Sequence, residues 1–245
     1  ITFQTKLQEL PQGLHMKAKD FSVDTIFPIF IVYSVMVFAL GNMNLLMLLV
    51  QEKKAQLREM LLMAGVSKFV HQLCHIAFFQ IKGLFAIIGF TAIAAYVAPH
   101  CSYVLLFLVS FVLNLNIQAL VFVFQCLLND PDTASKIGLI LVLLLAVPGI
   151  IAAYGYTATT GPGWAILGPS CFSNCLLCIF HAELRVLPGE TTGLNWQTWM
   201  DPSYGRGGFS FGFFFFFMIA DFFIYMVLAW YLNNVVPSDF GSTQP

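Results

Sequence analysis

The stretch YVLLFLVSFVLNLNIQALVFVFQCLL, residues 103–128, contains no charged side chain and decides the fold. It is longer than the roughly 20 apolar residues that a helix needs to cross a bilayer. It ends at the breaker and cap residues Asn129-Asp130-Pro131-Asp132. Further apolar runs occupy residues 25–50, 72–97, 137–154 and 209–232. The sequence therefore predicts an all-α, polytopic membrane protein with about five spanning helices.

The composition supports this prediction and narrows the function. Hydrophobic residues make up 59% of the chain and charged residues 9%, against about 25% charged residues in soluble domains. The net charge of −1 argues against a nucleic-acid partner, which needs a basic surface. The sequence has no phosphate-binding loop, dinucleotide fingerprint or Gly-x-Ser-x-Gly elbow, so we expect no catalytic residue in this chain. Because the chain opens with Ile1 and has no signal-peptide pattern, we expect a piece of a larger protein.

Basic residues in the loops predict the orientation. The loop at 51–70 is basic, whereas the turn at 98–102 contains no Lys or Arg. The basic residues of the longer loop are Lys53, Lys54, Arg58 and Lys68. The positive-inside rule therefore places this loop, and with it the C-terminus, in the cytoplasm.

Two segments then fall outside the membrane. Residues 1–24 are the end of an external segment, and the region 155–208 is external as well. An apolar piece at 164–180 is borderline in length for crossing a bilayer. We expect residues 162–208 to form a re-entrant or interfacial helix pair.

Asp221 is the most conspicuous single residue, because it lies near the middle of the last apolar run. An acid there costs about 2.5–3.5 kcal/mol on insertion scales unless it is paired or hydrated. Lys82 is the one basic residue at comparable depth, which makes it a candidate partner. Since a proton or ion relay needs several intramembrane acids, structural pairing is the favoured interpretation.

His71-Gln72-Leu73-Cys74-His75 imitates a zinc-protease motif, with two histidines at i and i+4. Gln72 stands where the general base Glu is needed, and the sequence around the motif offers no third ligand. We therefore interpret His71 and His75 as interfacial residues at the start of a membrane helix, and expect no metal site.

Cys171, Cys175 and Cys178 share one helical face with His181. Their spacing is similar to that of iron–sulfur ligands in radical enzymes, which belong to reducing compartments. A disulfide from one of the three to Cys101, in the other external turn, is a second hypothesis. The simplest interpretation is that small side chains pack helix against helix.

Several patches, in order along the chain, resemble subfamily A of the ABC transporters. EKK at 52–54, LREM at 57–60 and MAGVS at 63–67 are similar to the first cytoplasmic loop of that family. DFFIY at 221–225 and WYL at 230–232 resemble the pattern that closes its first membrane domain. The intervening patches are PSCF at 169–172, Glu183 and GLNW at 193–196. Phe240 stands where the family has Tyr, and Cys171 where it has Ala.

The resemblance implies a transmembrane domain of the ABC-2 exporter type over residues 25–245. It implies that lipid or sterol-like molecules are moved with the energy of ATP and Mg²⁺, both bound by a nucleotide-binding domain absent from this chain. Membrane lipids, nucleotide-binding domains and a second transmembrane domain would be the partners. The residues expected to couple to the nucleotide-binding domain are Glu52, Lys53, Lys54, Arg58, Glu59, Met63 and Gly65.

The mechanism expected from this family is a tilt of the first two spans, driven by a push on the helix at 51–66. The tilt would open a lateral cleft that the run Phe213–Phe217 either lines or leaves facing lipid. Three alternatives remain: a bacterial-type ABC-2 permease, a channel or scaffold subunit without ATP coupling, and an intramembrane enzyme.

Overall fold

The computed structural model describes residues 12–154, 167–185, 193–204 and 209–235. These residues form seven α-helices and one 3-10 turn, with no strand in the described ranges. The helices are α1 Gln12–Lys54, α2 Leu57–Met63, α3 Lys68–Val97, α4 Tyr103–Leu127, α5 Pro131–Tyr154, α6 Gly168–Arg185 and α7 Phe211–Val235. The predicted all-α polytopic fold is confirmed.

Four helical segments are long and apolar enough to cross a membrane: Ile29–Lys54, Phe69–Val97, Tyr103–Leu127 and Phe211–Val235. Their ends lie close to four of the predicted apolar runs. The fifth predicted run, 137–154, lies within α5, several of whose side chains are outside the described residues.

α1 begins well before its apolar segment, at Gln12. The extension is rich in residues that favour a helix, among them Lys17, Ala18 and Lys19, so the helix continues beyond the apolar run. At the start of α5, the Thr133 N–H donates to Asp130 Oδ2 at 3.3 Å. Asp130 thereby caps the helix, as the breaker residues at 129–132 indicate.

α4 lies at the centre of the bundle and contacts α1, α3, α6 and α7. Its buried aromatic and aliphatic side chains join the two apolar cores of the described residues. Facing outward are large apolar side chains such as Phe85, 83% exposed, and Tyr96, 90% exposed. A surface of this kind suits lipid rather than water.

α6 is short, yet every residue from Gly168 to Phe180 is buried. It packs against α4, α5 and α7. The borderline apolar piece at 164–180 therefore supplies an internal helix of the bundle. The remaining described residues of 162–208 form turns and the 3-10 turn Pro202–Tyr204, so the second helix of the expected pair stays a prediction.

Residues 193–195 tie this region to the turn between α3 and α4. The Ser102 N–H donates to the Leu194 carbonyl at 2.9 Å. A Cβ on Gly193 would lie 2.7 Å from the His100 carbonyl oxygen, so the close approach requires glycine.

Candidate functional site

The connection from α1 to α3, residues 55–67, forms an elbow that contains α2. Gln56 has a left-handed backbone (φ 56°) and Gly65 a positive φ of 93°, so one such residue stands on each side of α2. Ser67 caps α3, since its Oγ accepts a hydrogen bond from the Val70 N–H at 3.3 Å. The chain therefore leaves α2 at Gly65 and begins α3 directly after Ser67.

The elbow exposes apolar side chains on α2. Leu57 is 45% exposed, Met60 50%, Leu61 40% and Met63 81%. The side chains of Arg58 and Glu59 lie outside the described residues. Because α2 has few neighbours beyond α1 among the described residues, its apolar side chains are available to a partner.

Lys53 and Lys54 bind the far end of α4. Lys53 Nζ donates to the carbonyl oxygens of Cys126 at 3.4 Å and Leu128 at 3.2 Å. Lys54 Nζ lies 2.8 Å from Asp130 Oδ1, and this hydrogen bond, with the ammonium charge, holds the pKa of the Asp130 carboxyl below its usual value. These two predicted coupling residues therefore fasten the elbow to the α4–α5 connection.

Glu52 lies against both histidines at the start of α3. Glu52 Oε2 is 3.2 Å from His71 Nε2 and 3.2 Å from His75 Nε2. The two Nε2 atoms are also 3.2 Å apart. Sequence analysis missed Glu52 as a neighbour of the histidines, because it lies on a different helix with the elbow between them.

Asp221 is 3% exposed and lies on α7, which packs against α6. Its Oδ2 accepts a hydrogen bond from the Cys171 thiol at 3.8 Å. Lys82 Nζ instead lies 5.4 Å from the centre of the Phe79 ring, a cation–π distance. Within the described part of the chain, no ion pair joins Lys82 to Asp221.

All six cysteines are free thiols in this structure. Cys101 Sγ donates to the Ile179 carbonyl at 3.6 Å, so the structure brings it to the helix that carries Cys171, Cys175 and Cys178. Burial raises the pKa of the Cys101 thiol to about 12. The three α6 cysteines are buried, which favours the packing interpretation; the disulfide to Cys101 stays a prediction.

A buried amide network joins three helices in the middle of the bundle. We use this name for Asn42, Gln80, Asn114 and Gln118. Asn42 Nδ2 donates to Asn114 Oδ1 at 2.8 Å, and Asn114 Nδ2 donates to Gln80 Oε1 at 2.7 Å. Gln118 Nε2 donates to the same Gln80 oxygen at 3.1 Å. Sequence analysis missed it, although the i, i+4 spacing of Asn114 and Gln118 inside an apolar run is a readable signal.

A groove of about 450 Å³ opens between the start of α3 and the end of α7. Apolar side chains supply most of its lining, together with a few amide side chains. The lining includes Phe69, Gln72, Phe223, Met226, Trp230 and Asn233. A mainly apolar lining with a few polar groups is typical of sites that bind small molecules.

No family model matches the chain. Curated relatives include human ATP-binding cassette sub-family A member 13, which is 22% identical over 209 residues, 80% of this chain and 4% of that protein. Human glucosylceramide transporter ABCA12 is 24% identical over an alignment that covers 98% of this chain and 9% of that protein. ABC transporter A family member 9 of Arabidopsis thaliana is 25% identical over 57% of this chain and 15% of that protein.

The resemblance to ABCA transporters is confirmed. The chain spans less than a quarter of the length of each of these ABCA proteins. Its helical, apolar structure is that of an all-α polytopic membrane domain.

Proposed function

We propose that this chain is the transmembrane domain of an ATP-driven transporter that moves lipid or sterol-like molecules across or out of the bilayer. The elbow carries the proposal. A short helix with exposed apolar side chains, held between two membrane-spanning helices, is a suitable docking element for a nucleotide-binding domain.

The elbow lies in the cytoplasm in this proposal. The support is the positive-inside rule, applied to the Lys and Arg residues of 51–70. ATP and Mg²⁺ are bound by nucleotide-binding domains outside this chain. A second transmembrane domain completes the transporter.

Closure of the nucleotide-binding domains pushes on α2 and tilts α1 and α3. Because Lys53 and Lys54 fasten the end of α1 to the α4–α5 connection, the push also reaches the centre of the bundle. The movement alternately widens and narrows the groove between α3 and α7.

Two observations support the proposed substrate class, namely the groove and the name of one relative. The groove is large enough for part of an acyl chain or a sterol ring. One relative, ABCA12, is named a glucosylceramide transporter. A glycolipid or a similar amphipathic lipid is therefore the substrate that we propose to test first.

The side chains of the run Phe213–Phe217 lie in two different environments. Neither of the two interpretations given above, a cleft wall or a lipid-facing surface, therefore describes the whole run. Phe214 is fully buried, whereas Phe216 is 51% exposed and Phe217 41% exposed. One side of the run belongs to the core, and the other faces outward. Neither side lines the groove between α3 and α7.

The test is Met63→Asp, in a transporter that contains this chain together with nucleotide-binding domains. In proteoliposomes we expect transport of a fluorescent glucosylceramide analogue to fall about tenfold or more, because the new charge must be buried on docking. The matched control is Met200→Asp, a 48% exposed methionine at the opposite end of the bundle, which leaves transport unchanged.

Two further measurements decide between the proposal and its alternatives. Replacing residues 52–59 by a neutral linker leaves membrane insertion intact, while ATP hydrolysis no longer drives transport. Unchanged, ATP-dependent transport by both Met63→Asp and the linker variant would contradict the coupling role. Lipid movement that continues without ATP would favour the channel or scaffold alternative.

A further inference from the structure

The Glu–His triad, which we define as Glu52, His71 and His75, forms an almost equilateral triangle of donor atoms. All three separations between Glu52 Oε2, His71 Nε2 and His75 Nε2 are 3.2 Å. Three ligands about 2.0–2.1 Å from a tetrahedral Zn²⁺ lie about 3.4 Å from one another. The triangle therefore has the dimensions of one face of a tetrahedral coordination shell.

Hydrogen bonds alone do not account well for this triangle. If both imidazoles donate to Glu52 Oε2, their two N–H groups lie side by side at 3.2 Å and repel each other. If one imidazole donates to the other, the accepting Nε2 carries no proton, and no N–H is left to face the carboxylate. A cation at the centre instead uses all three lone pairs at once.

The surroundings also suit a bound cation. The side chains of His71 and His75 are 12% and 15% exposed, and that of Glu52 is 20% exposed, so the three donors are largely shielded from water. The neighbouring ammonium group, on Lys53, is directed to carbonyl oxygens and to Asn129 at the end of α4. The repulsion that it would exert on a bound cation is correspondingly reduced.

A fourth coordination position has room beside the triad. A cavity of about 10 Å³ adjoins Glu52 and His71, which is the volume of about one water molecule. Lys53, Gln72 and Gln125 also line it, and the two amide groups can hydrogen-bond to a bound water. Neither amide can act as a general base, so the arrangement favours metal binding without hydrolysis.

We propose that Glu52, His71 and His75 bind one divalent first-row transition-metal ion, with Zn²⁺ as the best match to two imidazoles and one carboxylate. The ion joins the end of α1 to the start of α3 and so fixes the angle of the elbow. This reverses the expectation from the sequence that the two histidines serve only as interfacial residues. The proposal does not depend on what the protein transports.

The experiment measures metal binding by the purified protein in detergent. After treatment with EDTA, the protein is titrated with Co²⁺ and, separately, with Zn²⁺, and bound metal is counted by mass spectrometry. We expect about one equivalent of metal and the intense visible absorption of tetrahedral Co²⁺. Glu52→Gln and His75→Ala each lose the bound equivalent, and Glu52→Gln keeps the shape of the side chain.

The matched control is His100→Ala, at the opposite end of α3. His100 forms an ion pair with Glu183 but has no third donor of this kind in the described residues. The control retains the metal if the proposal holds. Loss of metal in His100→Ala would place the binding elsewhere and overturn the proposal.

The wild-type protein alone is a second test that does not depend on how the variants fold. No metal retained after gel filtration, or the weak spectrum of octahedral, solvent-bound Co²⁺, would overturn the proposal. The triad would then be a hydrogen-bonded cluster.

Discussion

The amide network and the Glu–His triad are both polar clusters that join α1 to α3, and they differ in how their polar atoms are directed. In the amide network, donors and acceptors alternate from Asn42 through Asn114 to Gln80. In the triad, three atoms that can each act as a metal ligand converge on one point. Paired donors and acceptors stabilise a bundle, although Gln118 Oε1 has no hydrogen-bond partner among the described residues. Three convergent lone pairs instead leave a place for a cation between them.

The largest expected effect is that of Asn114→Leu, which removes the centre of the amide network. The substitution removes two buried hydrogen bonds, to Asn42 and Gln80, and each is worth about 0.5–1.5 kcal/mol. Asn42 Nδ2 still donates to the Phe38 carbonyl, and Gln80 Oε1 still accepts from Gln118 Nε2. We expect a clear fall in the thermal unfolding midpoint of the protein in detergent. The control is Asn234→Leu, near the exposed end of α7. Equal midpoints for the two variants would show that the network adds no stability.

Gly83→Ala is expected to have the next largest effect. A Cβ at Gly83 would lie 2.5 Å from Asn114 Nδ2. The Asn114 side chain is held in place by hydrogen bonds to Asn42 and Gln80. Such overpacking costs about 1–3 kcal/mol. In an Asn114→Ala background the conflict is gone, so the same glycine substitution should cost almost nothing. Additive costs in the double variant would contradict this account.

His75→Ala in metal-free protein is expected to have a smaller effect, about 1 kcal/mol or less. The ring is partly exposed, and water can replace it beside Glu52. The unfolding midpoint should change less than it does in Asn114→Leu. With Zn²⁺ present, the wild-type midpoint rises and that of His75→Ala does not, which separates the triad from the network.

Lys54→Ala should have the smallest effect, because both partners of its ion pair are well exposed. The pKa of Asp130 is lowered in the folded protein, so its contribution is fully present above the unfolded pKa of an Asp. That contribution is lost as the pH falls through the lower, folded pKa. The difference in midpoint between wild type and Lys54→Ala should therefore shrink in acid and in high salt. A difference that grows in acid would have the wrong sign for this ion pair.

Much of the fold could be predicted from the sequence. Crossing a bilayer requires long apolar helices, and such runs are visible without any knowledge of packing. Gly65 and Ser67 were readable as a stop and a cap, because their roles depend on local backbone conformation. The burial of α6 was harder to predict, because its moderate hydrophobicity does not show that other helices surround it.

The site was less predictable, because its contacts join residues on different helices. Glu52 meets His71 and His75 only because the elbow reverses the chain. Likewise, the neighbours of Lys82 and Asp221 depend on how each helix is rotated about its axis. A sequence shows that a charged residue lies within an apolar run, but not which neighbour it contacts.

The two left-handed residues beside α2 set a constraint on length. Gln56 and Gly65 fix where the short helix begins and where it ends. One inserted residue between them would rotate everything after it by about 100° around the helix axis. His71 and His75 would then turn away from Glu52, and the exposed methionines would face a new direction. The elbow therefore tolerates changes in the identity of the residues of α2 better than changes in the number of residues.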